Sequence, residues 1–143
     1  MHEFTVSLHI RHPSIEPEEI TRRLGIEPQH AWKAGDARRG PAGEALEGTY
    51  RETYWMGRLT AGPQLSTDPL SVESVLLQTL AQLRRSLQFL VGMNADGGVA
   101  ELHISIFAQG AFRLELLSES LALLGRLGLA IALEVHPHPD RAD

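Results

Sequence analysis

Histidine is the residue type in this chain best suited to proton chemistry near neutral pH, and seven occur. Strand parity sets three of them on one side of their elements: His9 opposite Leu8 and Ile10, His103 opposite Leu102 and Ile104, His136 opposite Val135. Glu101 and Glu134 share that side by the same alternation. Imidazoles and carboxylates brought together on one surface can bind an anion at about pH 6, hold a metal opportunistically, or pack against a second copy. The plain alternative is a solvated sheet face, which one-sided antiparallel sheets routinely present. A second candidate is Arg38-Arg39 in a Gly- and Pro-containing stretch, since paired guanidinium groups suit phosphate or carboxylate. Its plain alternative is a polar loop tip.

Recognised catalytic patterns are missing. There is no HExxH metal motif and no GxSxG nucleophile elbow. Neither a GxGxxG nor a GxxxxGK[ST] phosphate loop occurs, and Gly92 to Gly98 is too irregular in spacing to serve as one. His136-Pro137-His138 is a poor chelate, because Pro137 imposes an extended geometry that splays the rings. With no cysteine, disulfides, thiolate zinc sites and cysteine nucleophiles are excluded. We therefore assign no catalytic residue, no metal ligand and no cofactor from the sequence.

The elements that must position these groups are readable from periodicity. Residues 3–11 alternate, with Phe4, Val6, Leu8 and Ile10 on one face, as in a half-buried strand that His12-Pro13 ends. The densest punctuation follows, from Pro17 to Asp36. Pro17 fits the first turn of a helix over 17–24, Gly25 its left-handed end, and Pro28 bars a resumption. Residues 30–34 read as a short strand carrying Trp32, which we expect to be largely buried. Gly35 and Asp36 follow in a turn where the carboxylate accepts local N–H bonds. Residues 35–48 read as an exposed loop, and 49–59 as a strand with Tyr50, Tyr54 and Trp55. A connector spans 60–67.

Asp68-Pro69 then opens the longest helix, whose apolar positions continue to Leu90. A strand over 99–108 and a short strand around Phe112, Leu114 and Leu116 come next. Ser118 caps a helix over 119–127 with Leu121 and Leu124 inward, and Gly128 ends it. The last strand is 129–135, and 136–143 reads as a frayed tail of a single domain spanning 1–143. The fold class is α+β: a mostly antiparallel sheet with helices on one face, a ferredoxin-like βαββαβ start and a further (β)αβ extension.

At 143 residues, 43% of them hydrophobic, the chain can bury about 70% of its unfolded surface as one domain. A net charge of −5 with interspersed signs gives little support to nucleic-acid binding. The N-terminal stretch lacks the pattern of a secretory signal and no apolar run reaches membrane-span length, so a cytoplasmic location without membrane contact is expected.

Several short patterns coincide over nearly the whole chain. They comprise Pro17, Glu18, Ile20, Leu24, Gly25, Ile26 and Pro28; Lys33, Gly35 and Asp36; Trp55; and Leu127, Gly128 and Leu129. Together they resemble the bacterial domain of unknown function 4279. Glu16-Pro17 stands where such sequences often carry Asp-Pro, a better cap. The resemblance implies a fold and no chemistry. The expected function is a small non-catalytic binding or interaction module, immunity-like or regulatory, with a protein partner or a second copy. The alternative is a His-using enzyme or metal-binding protein with its site on the open sheet face.

Overall fold

The computed structural model describes residues 2–60 and 71–137, together with the backbone of 64–66. Strand β1 (His2–His12) is its centre. Phe4, Val6, Leu8 and Ile10 are fully buried, as the alternation requires. Helix α1 (Pro17–Leu24) has Pro17 in its first turn, and Gly25 closes it at φ +69°, with its N–H donating to Thr21 O at 2.8 Å. Strands β2 (Pro28–Trp32), β3 (Ala37–Arg39), β4 (Ala45–Thr49), β5 (Thr53–Arg58) and β6 (Gln64–Ser66) follow. Helix α2 (Val72–Leu83) runs through a 3₁₀ turn, Arg84–Ser86, into α3 (Leu87–Ala95). Strand β7 (Val99–Ala108), helix α4 (Ser118–Arg126) and strand β8 (Leu129–Pro137) complete the order.

The main sheet has the order β2-β5-β1-β7-β8, with β6 continuing beside the start of β1. β7 and β8 are parallel, joined through α4, and the other neighbours are antiparallel. Four of these strands, β7-β1-β5-β2, make a ferredoxin-like unit, and α4-β8 extends it. Packed on one face, the helices enclose a single cluster that includes Ile20, Trp55, Leu76, Leu80, Leu90, Leu102 and Leu124. Trp55 Nε1 donates to Thr21 Oγ1 at 3.0 Å, tying α1 to β5. The Trp55 ring fills the space above Gly57, where a Cβ would meet ring carbon at 2.4 Å. Among the described residues, no helix is long and apolar enough to cross a membrane.

Several sequence expectations need correction. Residues 35–48 form, in large part, the β3–β4 hairpin. Its strands are exposed throughout, so no hydrophobic alternation announces it. The long helix begins at Val72 under a reciprocal Ser71–Ser74 cap. Asp68 and Pro69 lie outside the described residues. The helix tightens at Arg84–Ser86, and because Leu80, Leu83, Leu87 and Leu90 keep their spacing across the turn, periodicity cannot reveal it.

Phe112, Leu114 and Leu116 pack on the core from a segment that is not a strand. Alternation there reports one-sided burial of the chain, not a ladder. Ser118 is the first helical residue and not the cap. Ser120 takes the inward place four residues before Leu124, which leaves Leu121 49% exposed. The strand expected over 49–59 is confined to Thr53–Arg58, and part of the 60–67 connector is β6. β8 reaches Pro137, so His136 belongs to the sheet and not to a tail; 138–143, His138 included, lie outside the described residues.

Candidate functional site

The sheet face away from the helices carries a continuous row of side chains in contact. At its centre is His9 on β1. Its Nε2 lies 3.0 Å from Ser7 Oγ and its Nδ1 2.9 Å from Tyr54 Oη on β5. His103 of β7 stands beside it, ring centroids 5.1 Å apart and edge to face. This proximity follows from β1 and β7 being adjacent, with Ser7 paired to His103 and His9 to Glu101. His103 Nε2 meets Glu134 Oε2 of β8 at 3.0 Å, and the other oxygen of Glu134 lies 3.4 Å from His136 Nε2. The His136 ring stacks on Phe107 at 5.1 Å. Adjacent strands at ordinary spacing thus bring His9, His103, Glu134 and His136 into one cluster. Glu101 joins Arg11, Val99 and His9 around a small hollow of about 80 Å³.

Toward the other edge the row becomes aromatic. Trp32 of β2 stacks on Tyr54 at 4.7 Å and on Tyr50 at 4.3 Å. Trp32 is partly buried, and these two rings cover it on the open face. Two open clefts flank it. One, of about 370 Å³, includes Asp36, Arg39 and Tyr50; the other, of about 480 Å³, includes Arg11, His30, Glu52 and Tyr54. The turn that presents Tyr50 is built from the residues singled out in sequence. Asp36 Oδ2 accepts from Lys33 N–H at 3.1 Å, Gly35 adopts φ +90°, and its N–H donates to Tyr50 O at 2.8 Å.

Burial lowers the pKa of His9 below its ordinary value; His103 and Arg11 push the same way, and Glu101 opposes them. Burial likewise raises the Tyr54 phenol, with Arg11 opposing and Glu101 reinforcing. His9 therefore favours the neutral imidazole, able to accept one hydrogen bond and donate another between Ser7 and Tyr54. Among the described residues, no group of three or more His, Asp or Glu is arranged to hold a metal ion.

Arg38 and Arg39 do not join the histidine cluster. Each donates from Nη1 to a carbonyl of its own hairpin, Glu47 O and Gly43 O respectively, both at 3.2 Å. Arg39 also lines the Trp32 cleft. Pro28 opens β2 opposite Gly57, while Gly25 and Trp55 serve the packing described above. Ser7, Tyr54, Tyr50 and Phe107 are site residues that the sequence reading did not single out. For Ser7 and Phe107, parity with His9 and His103 is a sufficient signal. Nothing local brings Tyr50 onto Trp32, since the contact depends on the hairpin closing.

Fold and site define a small α+β sheet protein whose open face is polar at one end and aromatic at the other. The chain belongs to the family described as Domain of unknown function (DUF4279), whose model matches residues 2–138. No curated protein and no solved structure gives a significant match.

Proposed function

We propose that this chain is a small non-catalytic binding module, immunity-like or regulatory, that engages a protein partner or a second copy through its open sheet face. One observation carries the reading: an unbroken series of side-chain contacts from Tyr50 through Trp32, Tyr54, His9, His103 and Glu134 to His136. Ordering that many rotamers on a face without covering helices costs conformational entropy. A preorganised surface lowers the further ordering needed when a partner docks. Tyr and Trp are also the residues that most often dominate protein contacts. Nucleic acid fits less well, because the net charge is −5 and Trp32 already stacks on two protein rings. The absence of cysteine suits a reducing compartment.

The test replaces His9 and His103 by Gln and follows assembly by sedimentation velocity, with stoichiometric partner capture from the source cell. A complex, or a dimer, that weakens by about ten-fold in the folded variant supports the reading. Assembly unchanged by the substitutions overturns it.

A His-using enzyme or metal-binding protein on the same face is the second reading. The hydrogen-bonded series Ser7–His9–Tyr54 favours it, since a neutral imidazole beside a hydroxyl can act as its base. Tyr54 is a weaker support than a carboxylate for the imidazolium that would form. Covalent labelling of Ser7 by a serine-directed phosphonate, or stoichiometric metal by elemental analysis, would favour this reading over the first.

A further inference from the structure

On the helix side of the molecule, remote from the histidine row, Arg23 of α1 and Arg84 and Arg85 of the 3₁₀ turn surround a hollow of about 420 Å³. Ser86, Leu87, Gln88 and Phe89 complete its wall. The Arg23 guanidinium sits 5.2 Å from the centre of the Phe89 ring, a cation–π contact that holds it in place. Among the described residues, none of these three arginines is paired with a carboxylate; the ion pairs lie elsewhere, as with Arg22–Glu19 and Arg113–Glu115. In a chain of net charge −5, three unneutralised guanidinium groups around one hollow are a local inversion of sign. The hollow also forms where the long helix tightens without Pro or Gly, and a 3₁₀ stretch inside a helix often marks a functional hinge or a strained sequence.

A second hollow of about 310 Å³ shares Arg23, Gln88 and Phe89 as its wall and adds Ile15 and Met93. His12, Gly92 and the carboxylates Glu19 and Asp96 also line it, and the two carboxylates confine an anion to the arginine end. The pair thus offers a cationic end and a mixed end, apolar at Ile15, Phe89 and Met93 and acidic at Glu19 and Asp96, at a size typical of small-molecule sites.

We propose that this α1–α3 hollow binds a small phosphate-bearing ligand, with Arg84, Arg85 and Arg23 on its phosphate oxygens and the rest of the ligand against Phe89. Three guanidinium groups call for more than one negative charge, which a phosphate monoester or diphosphate supplies and a single carboxylate does not. The planar fork of arginine matches phosphate oxygens two at a time. Binding here stands apart from the open face, so each can fail without the other.

Pyrophosphate, titrated into the full chain by calorimetry at low and at moderate salt, is the probe. Saturable one-to-one binding is expected, weakened by about ten-fold or more in Arg84→Gln/Arg85→Gln and unchanged in Arg113→Gln. The arginines replaced are exposed, so the double variant should fold; if it melts early, Arg85→Glu supplies the same comparison. Absent saturable binding, or equal weakening in the Arg113 variant, overturns the proposal. Citrate binding more tightly than pyrophosphate at the same arginines overturns the assignment to phosphate. A single-stranded oligonucleotide that binds where pyrophosphate does not overturns the small-ligand class.

Discussion

At the scale of single residues, two positions test the physical account. Gly25 holds φ +69° with nothing within 4 Å of where a Cβ would stand. The cost of Gly25→Ala is therefore conformational alone, expected at about 1 kcal/mol in chemical denaturation. A neutral substitution would contradict the left-handed assignment. His9 carries the pH dependence. Its folded pKa is lowered below the ordinary 6.5, chiefly by burial. The unfolded chain thus binds the proton more readily, and the stability His9 contributes is full above that ordinary value and lost as pH falls through the lower folded one. His103, Glu101 and Arg11 act on the same ring, and Tyr54 bonds to it. On moving from neutral to mildly acidic buffer, wild type should lose more Tm than His9→Gln does. Parallel loss in both would show that His9 is not the titrating group.

At the scale of elements, legibility in the sequence divides along physical lines. β1 and α1 were readable to within a residue or two, because one face of each meets the core and Pro17 and Gly25 punctuate the helix. The placement of His9, His103, Glu101 and Glu134 on one face was readable from parity for the same reason. Their meeting was not, because adjacency of β1, β7 and β8 is a property of strand order and not of any one strand. The β3–β4 hairpin was hidden by its full exposure, and with it the Tyr50–Trp32 stack. Ser71 as the cap of α2 was masked by the stronger Asp68-Pro69 signal just before it. Ser71→Ala removes the hydroxyl that accepts from Ser74 N–H at 3.1 Å and should cost about 1 kcal/mol in thermal unfolding. Gly57→Ala drives a methyl into the Trp55 ring and should cost about 1–3 kcal/mol, with a change in Trp fluorescence. An unperturbed spectrum would mean that the ring has room to move.

At the scale of the whole molecule, the sheet separates two surfaces of different kind. One side packs α1 to α4 over an apolar core; the other leaves a row of aromatic and ionisable groups facing outward. β8 extends that row, since Glu134 and His136 come from the strand added beyond the ferredoxin-like unit. The same strand lets Leu133 and Val135 become half exposed toward its end, although their register sets them on the helix side. The proposed function puts the contact on the open face. The most direct measurement is the dissociation constant of the purified partner, or of the dimer, compared across surface variants on the two sides. Trp32→Ala and His103→Gln should weaken binding by about ten-fold or more, while Leu121→Ser on α4 leaves it within error. Retained affinity in both open-face variants, together with loss in Leu121→Ser, would contradict the assignment of the open face as the site.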